Sequence, residues 1–233
     1  MHDVVKGIKT LLKKNGFLAF EVHYLGNLFK ELQYDMIYHE HQFYYSLHAL
    51  RNFFKIHDME IFDVNKIPIR AGSMMYFVQN MKTGTRKISP SVENLLEEEK
   101  SIGLDYVKTY VNFARKIERT RINLLSLLHK LKKDNKTIIG YGASGRGTII
   151  MNYCNLGKDL LDYVIDDSPA KHGAYTPGTH HKIYSSNKLN KPDRPDYALL
   201  FAWPFYEEIK RKNVNYLKKG GKFIVPLPKV RII

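Results

Sequence analysis

The C-terminal part of the chain alternates short apolar runs with helical stretches, and this alternation limits the possible folds more than any other feature. The apolar runs and the helices expected between them cover, in chain order, residues 137–140, 145–155, 161–167, 197–202, 205–217 and 222–225. Strands that alternate with helices form parallel βαβ units. The pattern therefore predicts an α/β fold with a parallel sheet over residues 135–233.

The N-terminal part has a different pattern. Residues 3–14 carry apolar positions at helical spacing, Asn15-Gly16 ends the helix, and residues 17–22 have the pattern of a buried strand. A single helix and strand cannot bury both faces of that strand. We therefore expect them to be the tail of an α/β domain whose other strands lie outside this chain or on another polypeptide.

Two further strands are expected at residues 59–64 and 74–79, with Arg70-Ala71-Gly72-Ser73 as the turn between them. Helical spacing then runs from residue 91 to 133, with a break near Ile102-Gly103. We therefore divide the chain into a first part at residues 1–88, a helical connector at 89–134 and a C-terminal lobe at 135–233.

Composition excludes several classes of protein. The chain has 233 residues, one cysteine (Cys154) and a net charge of +14, so it has neither a disulfide framework nor a cysteine-rich zinc module. No apolar run is long enough to cross a membrane, and the start does not resemble a signal peptide; we expect a cytoplasmic protein. Because the lysines and arginines are scattered, an anionic small substrate is favoured over nucleic acid.

Tyr38-His39-Glu40-His41 combines a phenol, two imidazoles and a carboxylate, which are groups that can move a proton near neutral pH. In an extended segment Tyr38 and Glu40 share one face, whereas in a helix Tyr38 and His41 lie one turn apart. The residues alone leave three interpretations open: a structural segment before the next helix, a site of chemistry, or a metal site, for which the spacing is not an established one.

Gly140-Tyr141-Gly142-Ala143-Ser144-Gly145-Arg146-Gly147 follows an expected strand and opens an expected helix. Backbone N–H groups in this position can bind a phosphate, Arg146 can add a charged contact, and Asp166 or Asp167 can bind a ribose hydroxyl. The spacing only approximates the dinucleotide motif. The glycines are equally compatible with close packing of strand and helix.

A long loop, residues 167–181, follows the second strand of this lobe and contains Lys171 and Pro177-Gly178-Thr179. Trp203 follows the third strand. Both positions fall at the carboxyl ends of strands, where open α/β sheets bind ligands. For each single residue, an ordinary loop connection is an equally good explanation.

Taken together, these segments resemble the C-terminal portion of the S-adenosylmethionine-dependent sugar C-methyltransferases. The resemblance rests on motifs that occur in the order of that family: Tyr38-His39-Glu40-His41 with Tyr44 or Tyr45, Gly72-Ser73, Gly140-Tyr141-Gly142-Ala143 with Arg146-Gly147, Asn152-Tyr153, Asp166 or Asp167 with Lys171 and Gly173, Pro177-Gly178-Thr179, Ala202-Trp203 with Glu208-Ile209, and Gly220-Gly221 with Pro226-Leu227-Pro228. It covers nearly the whole chain, but no counterpart of the family's cysteine cluster or glycine-rich donor loop is found.

The resemblance implies a Rossmann-like C-terminal lobe and methyl transfer to the carbon next to the ketone of a nucleotide-diphosphate-linked keto-deoxysugar. It implies His41 as the base, Glu40 as the residue that orients or assists this base, and Tyr38 as the group that polarises the keto oxygen or holds the sugar. The implied substrate-binding residues are Tyr44, Ser73, Gly142, Ala143, Arg146, Asp167, Lys171, Pro177, Gly178, Thr179 and Trp203. The implied cofactor is S-adenosylmethionine, bound mostly outside this chain by a missing N-terminal donor domain or a partner chain, and no metal is implied.

The chain departs from the family at one point in particular. Where the family often has His-Gly-Gly-Ser-x-Arg, this sequence has Arg70-Ala71-Gly72-Ser73-Met74-Met75, so the expected arginine is a methionine. This change alters the substrate or removes a contact. The alternative to an enzyme is a non-catalytic remnant that binds a nucleotide-sugar and has lost the donor site.

Overall fold

The computed structural model describes residues 1–67 and 72–233 and separates the chain into two compact units. The first consists of Met1–Lys30 and His41–Phe113, and the second of Glu31–Glu40 and Ala114–Ile233. The chain passes between the units three times, after Lys30, after Glu40 and after Phe113. The last of these crossings lies within a long helix, α5 (Val107–Lys133). The three-part division inferred from the sequence stays a prediction.

The first unit is built on a three-stranded antiparallel sheet in the order β1-β3-β2. Its elements are α1 (His2–Leu11), β1 (Phe17–His23), α2 (Leu25–Lys30), α3 (Leu47–Lys55), β2 (Met59–Ile67), β3 (Ser73–Asn80) and α4 (Pro90–Ile102). The central strand β3 runs against both neighbours, so β1 and β2 run in the same direction and form the two edges. Arg70 and Ala71 of the predicted turn lie outside the described residues.

Local sequence explains where the helices of this unit begin and end. Ser46 caps α3, because its side chain accepts a hydrogen bond from the Ala49 N–H at 3.1 Å. Pro90 opens α4, and Gly103 ends it in the left-handed conformation with φ of 77°. The predicted break near Ile102-Gly103 is thereby confirmed. Apolar residues of α1, α3, α4, β2 and β3 form the core of the unit, and partly buried residues of β1 pack against it.

The second unit is a Rossmann-like lobe with a six-stranded sheet in the order β6-β5-β4-β7-β8-β9. Its elements after α5 are β4 (Ile138–Tyr141), α6 (Gly145–Tyr153), β5 (Val164–Asp166), β6 (Ile183–Ser185), β7 (Tyr197–Leu200), α7 (Tyr206–Lys212), α8 (Val214–Lys218), β8 (Lys222–Val225) and β9 (Arg231–Ile232). All pairs are parallel except the last, β8 with β9. The predicted α/β fold with a parallel sheet is confirmed.

Three details differ from the sequence-based expectation. The expected helix over residues 205–217 is divided into α7 and α8, because Asn213 leaves the helical conformation and its side chain donates to the Ile209 carbonyl at 2.8 Å. The second strand is shorter than expected, since only Val164–Asp166 pair. Strands β6 and β9 were not predicted, because each has two or three residues and no clear apolar pattern.

Candidate functional site

In the first unit, predicted site residues gather at the end of the sheet where β1 finishes and β3 begins. His23, the last residue of β1, pairs in register with Ser73, which is buried. The His41 ring lies edge-on to the His23 ring, with 6.3 Å between centroids. Tyr45, the neighbour of Tyr44, forms a bridge to the residue after β1. The structure therefore brings His41, Ser73 and the Tyr44 segment to one end of this sheet.

Close to this end the first unit buries a carboxylate that the sequence analysis did not select. Glu99 is only 3% exposed and accepts hydrogen bonds from the backbone N–H groups of Leu47 and His48, at 2.5 and 2.9 Å. It therefore serves the free N–H groups at the start of α3. Burial raises the pKa of Glu99, while the two N–H groups act in the opposite direction. Burial and the charge of Glu99 also raise the pKa of Tyr24.

In the second unit, the glycine-rich segment turns from β4 into α6, as predicted. Gly142 has a φ of 101°, and Ser144 caps α6 by accepting a hydrogen bond from the Gly147 N–H at 3.2 Å. A Cβ at Gly140 would lie 2.4 Å from the Phe201 ring, and one at Gly147 would lie 2.8 Å from the Gly142 carbonyl. Close packing therefore accounts for Gly140 and Gly147. Of the four glycines in this segment, Gly145 alone would place an added Cβ in open space.

The Asp166 carboxylate ties this glycine-rich segment to the following loop. It accepts hydrogen bonds from the Ala143 N–H at 2.7 Å, from the Ser168 N–H at 2.9 Å and from the Lys171 ammonium at 3.0 Å. Two predicted site residues, Ala143 and Lys171, are thus brought together by Asp166. The carboxylate considered for a ribose hydroxyl already has protein partners on both of its oxygens.

Asp167, the next residue, faces a different set of partners. Its oxygens accept from the Tyr141 hydroxyl at 3.1 Å and from the Lys212 ammonium at 2.7 Å. Partial burial acts to raise the pKa of Asp167, but the hydrogen bonds from Lys212, Ser186 and Tyr141 outweigh it and lower that pKa. Burial raises the pKa of Tyr141 to about 12. Asp167 is exposed and ionised, at the carboxyl end of β5.

Pro177-Gly178-Thr179 is a well-bonded loop against α6. The Asn152 amide donates to the Pro177 carbonyl at 3.1 Å, and a Cβ at Gly178 would lie 2.0 Å from the Asn152 side-chain oxygen. The Thr179 hydroxyl lies 3.0 Å from the His181 ring nitrogen Nδ1. Pro177 and Gly178 are themselves exposed. The loop is therefore attached to α6 and presents its tip to solvent.

The most deeply buried polar group of the second unit involves two predicted residues and one that was not predicted. The Asp35 side chain is 0% exposed and accepts from Arg146 Nε at 2.7 Å and Nη2 at 2.9 Å. It also accepts from the indole Nε1 of Trp203 at 2.8 Å. The Arg146 guanidinium lies over the Trp203 ring, 4.9 Å from its centroid. Arg146 and Trp203 are thus brought together by Asp35.

Tyr38 and Glu40 follow Asp35 in the same unit, in a turn that is neither extended nor helical. Tyr38 is half-buried, whereas His39 and Glu40 are exposed. Burial and the charge of Glu40 raise the pKa of the Tyr38 phenol, while Arg146 acts in the opposite direction. Tyr38 is therefore a neutral hydroxyl near neutral pH and can donate a hydrogen bond.

Sequence signals could have identified Asp35 and Glu99, the two buried carboxylates that the sequence analysis did not select. Asp35 interrupts an apolar run, Tyr34 to Ile37, immediately before the Tyr38 segment. Glu99 continues the helical spacing of Val92 and Leu95, which places it on the buried face of α4. A charged residue at an apolar position must find a partner, so both patterns predict a buried polar contact.

The described residues contain neither a membrane-spanning helix nor a group of metal ligands. Across residues 1–67 and 72–233, no helix combines the length and apolar character that crossing a bilayer requires. Within those same ranges, no three His, Cys, Asp or Glu side chains are grouped so that they could hold a metal ion. The cytoplasmic location inferred from the sequence stays a prediction.

Comparison with known proteins gives one family. A sequence model described as "C-methyltransferase C-terminal domain" matches residues 68–228. The chain is 35% identical over 233 residues to the C-methyltransferase NovU of Streptomyces niveus, in a match that covers 100% of this chain and 55% of that protein. The chain thus spans about half the length of the curated relative it matches. It belongs to the family of C-methyltransferases, of which it carries the C-terminal domain.

Proposed function

We propose that this chain is the substrate half of an S-adenosylmethionine-dependent C-methyltransferase, which acts on the carbon next to the ketone of a nucleotide-linked keto-deoxysugar. The observation that carries this proposal is the family match, with identity to a C-methyltransferase along the whole chain. The alternative, a remnant that binds a nucleotide-sugar without catalysis, is not favoured because both matches are to methyltransferases.

The residues of this chain fit the proton-transfer part of such a reaction. A hydrogen on the carbon next to a ketone is acidic because the resulting carbanion is delocalised as an enolate. We propose that His41 removes this proton, that Glu40 assists it, and that the neutral Tyr38 hydroxyl donates to the keto oxygen where negative charge develops. The raised pKa of Tyr38 supports its part, since the phenol keeps its proton near neutral pH.

The cofactor is assigned to a donor domain outside this chain. S-adenosylmethionine supplies an electrophilic methyl group when it is bound. The glycine-rich segment of the second unit does not fit a donor site, because the Ala143 N–H is donated to Asp166 and the space at Gly140 is filled by Phe201. The 55% coverage of the relative supports a further domain in the complete enzyme.

We propose the remaining predicted residues as the substrate-binding surface, in two groups. The group of the first unit is Tyr44 and Ser73. The group of the second unit is Gly142, Ala143, Asp167, Lys171, Pro177, Gly178 and Thr179, and Arg146 and Trp203 contribute to it through their shared partner Asp35. Lys171 and the open space at Gly145 favour an anionic ligand such as a diphosphate.

The test is deuterium uptake at the carbon next to the ketone, which needs no methyl donor. A thymidine-diphosphate-linked keto-deoxysugar is incubated in D₂O with this chain, alone or fused to the part of the S. niveus relative outside the match. We expect uptake by mass spectrometry, and a loss of roughly 100-fold or more in His41→Ala. His39→Ala, an exposed neighbour, is the matched control and should keep the wild-type rate. Uptake that does not depend on His41, or no uptake in either form, would contradict the proposal.

A further inference from the structure

The strand order of the second unit defines where a ligand would bind in a sheet of this type. Strands β5 and β6 lie on one side of β4, and β7 and β8 lie on the other. In open parallel sheets the ligand crevice lies outside the carboxyl ends of the two strands at which the order reverses. Here those strands are β4 and β7, and the residues that follow them include Arg146 and Trp203.

A segment of the chain itself occupies this crevice. Tyr34, Asp35 and Met36 form a single 3₁₀ turn, and all three residues are buried. The carboxylate of Asp35 meets Arg146, which follows β4, and Trp203, which follows β7. Three hydrogen bonds of 2.7 to 2.9 Å, two of them from a guanidinium, satisfy this buried anion. Asp35 thus stands where an anionic ligand of such a sheet would stand.

Tyr34 attaches the same turn to the C-terminal end of α6. Its hydroxyl lies 3.7 Å from the Cys154 sulfur, and its ring packs on Tyr153 at 5.2 Å between centroids. The turn is therefore bonded to both ends of the helix, through Asp35 at the start and Tyr34 at the finish. Tyr38 lies only two residues after the end of this turn, so fixing the turn also restricts the position of Tyr38.

We propose that Asp35 is a positioning residue: with Arg146 and Trp203 it holds its own segment in the ligand crevice of the lobe, and so fixes Tyr38 and Glu40 for proton transfer. The inference rests on the proposed function. In this proposal Arg146 holds Asp35 and does not bind a phosphate directly. Arg146 and Asp35 also act electrostatically on the Tyr38 phenol, which agrees with their closeness.

Stability alone is a weak explanation for this cluster. Replacing a buried ion pair by apolar side chains of similar size commonly leaves stability unchanged or increases it. A bidentate pair with a third donor, however, fixes both the position and the orientation of the carboxylate. If the cluster positions Tyr38 and Glu40, an apolar replacement of the pair should slow proton transfer. If the cluster only stabilises the fold, the same replacement should leave that rate unchanged.

The first experiment measures the position of the segment in the full chain, without substrate. Trp203 is the only tryptophan, so its emission reports the loss of the indole–carboxylate hydrogen bond. In Asp35→Asn and Arg146→Met we expect an emission shift and roughly tenfold faster amide hydrogen exchange over residues 34–40. Asp134→Asn, an exposed carboxylate after α5, is the control and should change neither. Unchanged exchange over residues 34–40 in both variants would overturn the proposal.

The second experiment separates positioning from folding. The double variant Asp35→Leu/Arg146→Met replaces the pair by apolar groups and should unfold at close to the wild-type denaturant concentration. We nevertheless expect its kcat for deuterium uptake to fall roughly 10- to 100-fold with KM within about threefold. Arg146→Lys, which keeps one charged donor, should retain an intermediate kcat.

The outcomes of the second experiment distinguish the two proposals. A well-folded double variant with wild-type kcat would overturn the role of Asp35 as a positioning residue. It would leave the proposed reaction intact. If the wild-type chain and its fusion take up no deuterium, the proposed function fails, and the amide-exchange result alone decides whether Asp35 holds its segment.

Discussion

Asp35 and Glu99 are the two most deeply buried carboxylates among the described residues, one in each unit, and their partners differ in kind. Asp35 has a guanidinium and an indole N–H. Glu99 instead accepts from two backbone N–H groups at the start of α3. A full positive charge stabilises an ionised carboxylate in the interior, whereas a helix start supplies only partial charge. Burial raises the pKa of Glu99, and the two N–H groups only partly offset that effect.

This difference predicts which substitution removes more stability. Asp35→Ala leaves the Arg146 guanidinium, only 16% exposed, without its partner. Loss of one member of a buried pair typically costs about 3–5 kcal/mol. We expect a destabilisation of that size, measured by urea unfolding followed through Trp203 fluorescence. A change below about 1 kcal/mol would show that the pair is not buried in solution as described.

Glu99→Ala should cost less, because it removes an acceptor without leaving a buried cation. The Leu47 and His48 N–H groups lose their partner, which costs about 1–3 kcal/mol. The loss should be local, with faster hydrogen exchange at the start of α3. Glu98→Ala is a matched control on the same helix, since Glu98 pairs with Lys66 at the surface. Equal effects of the two substitutions would contradict the role of Glu99 as acceptor for the N–H groups at the start of α3.

The contrast between the two carboxylates also shows what sequence reasoning can reach. The strand–glycine–helix order of β4 and α6 was predictable, because four consecutive buried residues and Ser144 specify it locally. The partner of Asp35 was not, since Arg146 is 111 positions away and only the tertiary fold brings them together. Strand β6 was missed for the same reason: three residues carry too little pattern without the neighbouring strand β5.

The same limit applies to the candidate site. The sequence located Tyr38, His41 and Arg146 as chemically capable residues, and the family resemblance supplied their order. Neither the sequence nor the resemblance revealed that the Arg146 guanidinium is bound to Asp35. Nor did they reveal that Asp166 accepts a hydrogen bond from the Ala143 N–H at 2.7 Å. Such pairings depend on side-chain direction after folding, which residue spacing does not specify. The parts assigned to Tyr38 and His41 stay proposals.

The pH dependence of stability sharpens the comparison further, with a smaller effect. Because the pKa of Glu99 is raised in the folded chain, the unfolded chain loses this proton first as pH rises. The group's contribution is therefore favourable below its unfolded pKa and is lost as pH rises through the folded pKa. Glu99→Gln stays uncharged and has no such dependence. We expect the unfolding free energy of Glu99→Gln, relative to wild type, to increase as pH rises from 4 to 7 (roughly the range set by an ordinary carboxyl pKa).

An exposed carboxylate completes the series with the smallest expected effect. Asp167 and Lys212 form an ion pair at 2.7 Å, but their side chains are 40% and 56% exposed. Exposed pairs contribute about 0–1 kcal/mol, so Lys212→Met should barely change the unfolding free energy.

The pKa of Asp167 is lowered despite partial burial, with Lys212 the main cause of the lowering. Its favourable contribution is thus present above the unfolded pKa and lost as pH falls through the folded one. In Lys212→Met the carboxyl resonance of Asp167 should titrate at higher pH by NMR, and an unchanged titration would mean that Tyr141 and Ser186 alone lower the pKa.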